Sequence, residues 1–325
     1  MGTKKKSKLF VAIIALILVA VTVAAGLFVA DRISEYSDNA EENTTSSETQ
    51  ITVTTEPESL LPEVDPDSIT WDSDYSGNSD GLINFLFIGQ DRRENEGRQR
   101  SDAMILCSLN PETKELSMIS FLRDLYVQIP GYEDNRLNAA YAYGGFSLLK
   151  ESLRKNFDVI VDGCIEVDFE NFKSIVDTIG GIEVELTAAE AEIVGSGVKE
   201  GVCHLDGSQT LTYARIRKID SDFVRTKRQR NVLSAILGKV KAMDVTGRLG
   251  FVSAVLPMIS TDMTDEQLMS LAMQLAGALD KLEVTTHCVP AEGAYKSATV
   301  RGMAVLIPDI EKNRKMIFEE YLPIN

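Results

Sequence analysis

From Gly81 onward, hydrophobic residues form short runs of strand length that are separated by longer segments with helical periodicity. The predicted strands are residues 82–88, 103–109, 116–120, 159–167, 182–186 and 282–289. The predicted helices are residues 138–156, broken at Gly144-Gly145, then 169–179, 206–217, about 225–243, 249–258, 265–280 and 310–321. This alternation of element types predicts an α/β domain over 81–325, with helices on both faces of a central sheet.

Residues 9–30 are apolar and uncharged, and they follow Lys4, Lys5, Lys6 and Lys8. A helix of this length spans a hydrocarbon core of roughly 30 Å. A cleaved signal peptide is the alternative, but its apolar core would be shorter and the end of this run is a poor cleavage site. The favoured expectation is a cytoplasmic tip over 1–8 and one transmembrane helix over 9–30. The remainder would then lie outside the cell, because lysines stay on the cytoplasmic side.

Residues 31–80 are acidic, with fourteen Asp or Glu against one Arg, and they supply most of the net charge of −16. Ser, Thr and Pro are frequent and apolar periodicity is weak over 34–80. Such a composition predicts a disordered spacer between the membrane and the domain, with Trp71 and Tyr75 near its end docking on the domain. Nucleic acid is not expected as a partner, because the folded part is itself net negative.

A dense basic run occupies residues 213–231 of this acidic chain. Its cations are Arg215, Arg217, Lys218, Arg225, Lys227, Arg228 and Arg230. Two helices are predicted to flank a break near 219–222, with Asp206 as the N-cap of the first, and Ser221 or Asp222 as the N-cap of the second. Arg225 and Gln229 then share one face, whereas Lys218 and Arg230 are expected at the surface. The run is either a solvated basic face or a site for phosphate, whose oxygens suit the planar Arg fork.

Two carboxylates flank the loop between the first two predicted strands. Asp91 follows the first strand and Asp102 begins the second, and ligand sites in α/β sheets gather at strand ends. Two carboxylates with phosphate oxygens and water are a usual Mg²⁺ arrangement. Surface pairing with Arg93 and Arg100 explains the same pattern, so both interpretations remain open on spacing alone.

The cysteines and methionines leave further alternatives open. Cys107 and Cys288 lie on apolar strands as expected for core thiols, whereas Cys164 and Cys203 lie near turns and are either free or joined outside the cell. Methionines at 104, 118, 258, 263, 269 and 273 indicate either ordinary core packing or a long apolar pocket for a flexible lipid chain.

Taken in order, several short motifs resemble those of the LytR–CpsA–Psr family of Gram-positive envelope proteins. They are G-Q-D-R-R at 89–93, R-S-D at 100–102, S-F-L-R-D at 120–124, I-P-G-Y at 129–132 and R-L-N-A-A-Y-A-Y-G-G at 136–145. The carboxyl signature is H-L-D-G-S-Q-T-L-T-Y-A-R-I-R-K followed by S-D-F-V-R-T-K-R-Q. Phe121-Leu122 replaces the family's usual Ile-Pro, and Val224 replaces a common Gly.

The resemblance implies a three-layer domain with a mixed central sheet, and a phosphotransferase at the outer face of the cytoplasmic membrane. Such enzymes move a glycopolymer (teichoic acid, capsule polysaccharide or another polymer) from a polyprenyl-pyrophosphate carrier to peptidoglycan. By the same resemblance, Asp91 and Asp102 would hold Mg²⁺, and both would act in catalysis together with Arg100 and Arg123. The implied pyrophosphate ligands are Arg100, Arg123, Arg215, Arg217, Arg225 and Gln229.

The lipid tail would occupy an apolar pocket within the domain. The general base is left open between Asp222 and Asp124. The alternative function is a non-catalytic binder of polyprenyl lipid, acting as a regulator or scaffold at the membrane.

Overall fold

The computed structural model describes residues 61–90, 99–195, 197–217, 219–278 and 281–324. The predicted membrane helix at 9–30 and residues 31–60 of the predicted spacer lie outside these ranges. Within them, no helix is both long enough and apolar enough to cross a membrane.

The core of the fold is a mixed six-stranded sheet. Its strands are β1 (Ile83–Gln90), β2 (Ser101–Asn110), β3 (Glu115–Phe121), β6 (Gly163–Asp168), β9 (Ser260–Thr261) and β10 (Glu283–Val289), in the order β10-β3-β2-β1-β6-β9. β2 pairs antiparallel with β1 and with β3. β6 and β10 add parallel partners to β1 and β3. The sheet is therefore mixed, as the family resemblance implies.

Six further strands form three small antiparallel sheets. They are β4 (Tyr126–Val127) with β5 (Asn135–Arg136), β7 (Ile182–Leu186) with β8 (Gly201–Leu205), and β11 (Tyr295–Val300) with β12 (Met303–Pro308). The predicted strand at 182–186 is confirmed, but it pairs with β8 outside the main sheet.

Eight α-helices surround the main sheet in the described part of the chain. They are α1 (Leu137–Phe157), α2 (Phe169–Thr178), α3 (Ala188–Val194), α4 (Gly207–Ala214), α5 (Asp222–Ala242), α6 (Val245–Val255), α7 (Asp265–Ala278) and α8 (Ile310–Met316), the last continued by a π-helical turn at Ile317–Tyr321. The predicted break in α1 is present, because Gly145 has a φ of 64°.

Alternation of side chains along the strands divides the interior into two cores, one on each face of the sheet. Phe85 and Ile105 face a first core that α2, α4, α5, α6 and α7 cover. Leu86 and Leu106 face a second core that α1 and α8 cover. Helices on both faces are thus confirmed, and successive strand residues bury opposite sides as a pleated sheet requires.

Part of the predicted spacer packs on the domain. Glu63 forms a parallel bridge to Thr299, and the ring of Trp71 stacks on Tyr126 with centroids 6.1 Å apart. The predicted docking of Trp71 and Tyr75 is confirmed, since Arg314 also donates to the Tyr75 carbonyl. Residues 61–80 therefore do not form the free spacer that composition predicts, because their few apolar side chains find buried partners. The ordered unit begins before Gly81.

All four cysteines are free. Cys164 is buried on β6 in the second core, whereas Cys203 lies on β8 and packs against the first core. The structure therefore keeps the two thiols apart on opposite faces of the main sheet and provides no disulfide between them.

Candidate active site

A deep apolar cavity lies between the main sheet and the helices of the first core. Its empty space, including the open mouth, is about 1070 Å³. Phe87 and Ile105 line the sheet side, Phe172 of α2 and Ile236 of α5 line the helix side, and Phe251 of α6 contributes from a third direction. Aliphatic and aromatic side chains dominate the lining away from the mouth, so the cavity suits a hydrocarbon chain.

The described methionines do not line this cavity. Met104 and Met118 are fully buried within the two cores, and Met258 and Met263 pack against the first core. For these four residues the core-packing interpretation is confirmed. The apolar pocket exists, but phenylalanine and branched aliphatic side chains form it.

Asp102, near the start of β2, accepts hydrogen bonds from two guanidinium groups that come from distant parts of the chain. Arg217 Nη2 lies 3.0 Å from Asp102 Oδ1, and Arg123 Nη1 lies 3.2 Å from the same oxygen. The Asp102 side chain lines the cavity and is 24% exposed, which places the group at the cavity mouth. One predicted metal ligand and two predicted phosphate ligands therefore converge.

Arg225 extends the same cluster from the first turn of α5. Its side chain is 1% exposed, and Nη2 donates to Asp222 Oδ2 at 2.8 Å and to the Asp102 carbonyl oxygen at 3.4 Å. Burial lowers the pKa of Arg225 to about 10; the attraction of Asp222 opposes this shift, and Arg123 and Arg217 add to it. Burial also raises the pKa of Asp222, against the attraction of Arg225. Mutually repelling arginines at a cavity mouth favour an additional anion there.

Gln229 lies one turn beyond Arg225 on the same face of α5, and both residues line the cavity. Gln229 Oε1 and Arg225 Nε are buried, and neither atom has a hydrogen-bond partner among the described residues. Buried polar atoms without partners are costly, so their presence at a cavity is typical of a ligand site.

The chain leaves its helical path between Arg215 and Arg217, before the break that the sequence predicts near 219–222. α4 has Asp206 as its N-cap with a capping box, and it ends at Ala214 with Arg215 as the C-cap. α5 begins at Asp222, with Ser221 as its N-cap. The break therefore begins about four residues earlier than the pattern predicts. The Arg215 guanidinium lies over the Phe169 ring at 4.4 Å from its centroid, beside the cavity.

The cations of the basic run divide into arginines that line the cavity, buried arginines that bond elsewhere in the protein, and an exposed lysine. Arg228 is 3% exposed; Nε donates to Glu190 Oε1 at 2.6 Å and Nη1 donates to Asp220 Oδ1 at 3.1 Å. Arg230 is also buried, and its Nη1 donates to the Ser120 hydroxyl at 2.7 Å. The expectation that Arg230 lies at the surface is wrong, because it reaches inward to β3. Lys227 is exposed.

The described structure does not place two of the predicted site residues, Arg100 and Asp91, in this cluster. Arg100 is exposed just before β2 and does not line the cavity. Asp91 lies outside the described residues, as does Lys218. The described residues hold no group of three or more His, Cys, Asp and Glu that could bind a metal ion. Asp102 alone of the predicted metal pair is therefore placed at the site.

The two departures from the family motifs have different surroundings. Phe121 and Leu122 are buried in the second core, and the Leu122 amide donates to the Val289 carbonyl. Arg123 still reaches Asp102 from the end of this segment. Val224 is exposed at 37%, directly before the buried Arg225. Neither replacement removes a side chain from the cluster.

Sequence reasoning missed a second carboxylate link to Arg123. Asp124 Oδ2 lies 3.3 Å from Arg123 Nε, and Asp124 Oδ1 lies 3.4 Å from Arg136 Nε. The Asn138 amide, at the start of α1, donates to the Arg123 carbonyl. These contacts help to fix the position of Arg123. The adjacent Arg123 and Asp124 in the sequence were the signal from which this contact could have been predicted.

Comparison with known proteins supplies relatives for this arrangement. A teichoic acid transferase TagU of Bacillus mycoides (strain KBAB4), in full polyisoprenyl-teichoic acid–peptidoglycan teichoic acid transferase, is 32% identical over 220 residues, which are 66% of this chain and 71% of the relative. A solved structure described as TagT bound to LIIa-WTA superposes with a TM-score of 0.60 at 26% identity, covering 74% of this chain and 90% of that one.

A further structure of the LytR-CPS2A-psr family protein YwtF (TagT), with bound octaprenyl pyrophosphate lipid, shares the fold. It superposes with a TM-score of 0.55 at 23% identity over 74% of this chain and 91% of that one. The model of the LytR_cpsA_psr family matches residues 33–319, which is most of the chain. On this evidence the chain belongs to the LytR–CpsA–Psr family.

Proposed function

We propose that this protein transfers a glycopolymer from a polyprenyl-pyrophosphate carrier to peptidoglycan. The observation that carries the proposal is the junction of an arginine cluster with a deep apolar cavity. A polyprenyl pyrophosphate has the matching two parts, a doubly charged head and a long hydrocarbon tail. The names of the relatives support transferase activity with a teichoic acid, and that polymer class is the favoured donor; capsule polysaccharide remains the alternative.

In this proposal the head group occupies the space between the end of α4 and the start of α5. Arg215, Arg217 and Arg225 neutralise its charge, and Arg225 and Gln229 offer buried polar atoms that have no partner among the described residues. Asp102 and Asp124 hold Arg123 and Arg217 in place, so that their donors are oriented before the ligand arrives. Fixed donors of this kind stabilise the charge that develops on a phosphoryl group in transfer.

The proposed reaction is a phosphoryl substitution. A peptidoglycan hydroxyl attacks the phosphorus next to the polymer, the bond from that phosphorus to the bridging oxygen breaks, and polyprenyl phosphate leaves. The hydroxyl proton passes to a base, for which Asp222 and Asp124 are candidates. Asp222 has a pKa raised by burial, which makes it a stronger proton acceptor than an ordinary Asp.

We further propose that Asp102 and Asp91 hold Mg²⁺ together with oxygens of the head group. Asp102 fits this role, because it is a hard oxygen donor at the cavity mouth and Mg²⁺ favours one or two carboxylates with substrate phosphates. The ion would supply charge neutralisation at the head group. Titration with Mn²⁺, followed by its electron paramagnetic resonance signal, should show at least tenfold weaker binding for Asp102→Asn. Equal binding by the variant would contradict the assignment.

The anchor and the location are part of the same proposal. Residues 9–30 would span the cytoplasmic membrane once and place the domain at its outer face, where a Gram-positive envelope offers both substrates. A phosphatase reporter that is active only outside the cytoplasm, fused at Asn325, should be active. A fusion active only in the cytoplasm would contradict this topology.

Activity of the purified full chain tests the transfer step. With a polyprenyl-pyrophosphate-linked teichoic acid and peptidoglycan, we expect release of polyprenyl phosphate and polymer attached to peptidoglycan. Binding of the donor without release would instead support the alternative of a non-catalytic lipid binder. Absence of both binding and release would contradict the proposed function.

A further inference from the structure

We propose that the stacked side chains of Tyr132 and Tyr143 form a binding platform for the sugar rings of the acceptor polysaccharide. The two rings lie with centroids 4.9 Å apart and planes 23° apart. Tyr132 is 54% exposed and Tyr143 is 41% exposed, and they are the two aromatic side chains among the large apolar residues that the described ranges leave exposed. This inference rests on the proposed function and names where its acceptor would bind.

The platform has the chemistry of a sugar site. A pyranose ring has a face of C–H groups and a rim of hydroxyls, and the face of an aromatic ring is partly negative and attracts such C–H groups. Asn135 Nδ2 donates to the Tyr143 hydroxyl at 3.1 Å, which leaves that hydroxyl its own proton to donate. Glu133 of the same loop pairs at 2.9 Å with Arg301, which lies in the turn between β11 and β12. Polar side chains thus lie on the same loop as the exposed ring of Tyr132.

The platform is rigid, which lowers the entropy lost on binding. Tyr132 follows the Pro130-Gly131 turn and Tyr143 is part of α1, so the stacked pair joins the loop to a helix. β5 pairs with β4, and Arg301 also donates to the Asp134 carbonyl. The loop is therefore held at several points while the two rings stay exposed.

The position of the platform suits the acceptor. Asn138 contacts the Arg123 carbonyl, and Tyr143 lies five residues farther along α1, about 8 Å at the rise of a helix. α1 covers the second core, whereas the apolar cavity belongs to the first core on the opposite face of the sheet. In an in-line substitution the attacking oxygen enters opposite the leaving group. With polyprenyl phosphate leaving toward the cavity, the acceptor would approach from the side of α1.

The test measures saccharide binding without turnover. Purified full-length protein is titrated calorimetrically with soluble glycan-strand fragments of peptidoglycan and, separately, with the lipid-linked polymer donor. We expect Tyr132→Ala and Tyr143→Ala to bind the glycan fragments at least fivefold more weakly, with donor binding unchanged. Tyr132→Phe should stay within twofold of the wild type, because the ring face remains.

Ile160→Ala, at an exposed position outside the platform, is the control and should bind both ligands as the wild type does. The proposal would be overturned if both Ala variants bound the glycan fragments as tightly as the wild type. It would also be overturned if the variants bound only the donor more weakly. If wild-type protein binds glycan through the tyrosines yet releases no polyprenyl phosphate, the proposed transfer fails while the platform stands.

Discussion

Arg217 Nη2 lies 3.0 Å from Asp102 Oδ1, although 115 positions separate the two residues in the chain. The contact joins the break between α4 and α5 to the start of β2, and it places a guanidinium at the mouth of the apolar cavity. Arg123 shares the same carboxylate oxygen, so one Asp organises two arginines. A cluster of arginines at the cavity mouth is thereby assembled from segments that are far apart in sequence.

Replacing Arg217 or Arg225 by Lys should reduce turnover by roughly tenfold or more, although the charge is kept. A planar fork binds two oxygens at once, and each charge-assisted hydrogen bond lost costs about 1.5–3 kcal/mol. The measurement is release of polyprenyl phosphate for each variant. Lys227→Ala is the control, because Lys227 is exposed on the same helix. Lys variants as active as the wild type, or a control that loses as much, would show that the fork does not matter.

Filling the cavity should select against long lipid chains. Val232→Phe replaces a small side chain of α5 that lines the cavity by a large aromatic ring. Because the ring fills part of the cavity, we expect KM for a donor with a long polyprenyl chain to rise about tenfold. A donor with only one or two isoprene units should be unaffected. Val240→Phe is the matched control, since Val240 is buried on the same helix and does not line the cavity. If KM for the long-chain donor rose in both variants, or in neither, the result would argue against a lipid in this cavity.

Removing Arg228 should destabilise the fold. The substitution Arg228→Met leaves the carboxylates of Glu190 and Asp220 without their buried partner, at a cost of about 3–5 kcal/mol. Urea unfolding of the purified protein measures the loss. Lys227→Met changes the neighbouring exposed residue and should stay within about 0.5 kcal/mol of the wild type. Equal stability of the two variants would mean that this ion cluster contributes little.

His287 should make the fold sensitive to mild acid. Burial, with the nearby Arg230, lowers the pKa of His287 from its ordinary 6.5 to about 4. As pH falls from 6.5 to 4, His287 binds a proton in the unfolded chain but stays neutral in the folded chain. The free energy of unfolding therefore decreases over that pH range. The loss is at most roughly 3 kcal/mol, because His287 is only partly buried.

His287→Phe should flatten this dependence, measured as the free energy of unfolding at several pH values. Tyr321→Phe keeps a ring stacked on His287, whose centroid lies 4.2 Å from that of Tyr321, and should retain the wild-type slope. An unchanged slope in His287→Phe would assign the acid sensitivity to other groups.

The sequence predicted most of the main sheet, because a strand-length apolar run is a short-range signal. The start of α4 was predicted for a similar reason, since Asp206 forms a capping box with Gln209, three residues away. The hairpin of β11 and β12 was missed. Its turn is Arg301-Gly302, with φ values of 50° and 72°, and Arg is not among the residues that normally signal such a turn.

The site was predicted less completely, since its geometry depends on long-range partners. The spacing of Arg225 and Gln229 places them on one face, and both line the cavity. The burial of Arg228 and Arg230 could not be predicted from the run itself, because their partners Glu190 and Ser120 come from α3 and β3. Local pattern alone does not separate a buried cation from a solvated one.

A crystal structure with a bound polyprenyl pyrophosphate tests the central claim most directly. We expect the diphosphate within hydrogen-bond distance of Arg217, Arg225 and Gln229, and the tail between Phe172 and Ile236 in the cavity. Diphosphate bound elsewhere, with the cavity free of lipid, would contradict the assignment of this cluster as the donor site.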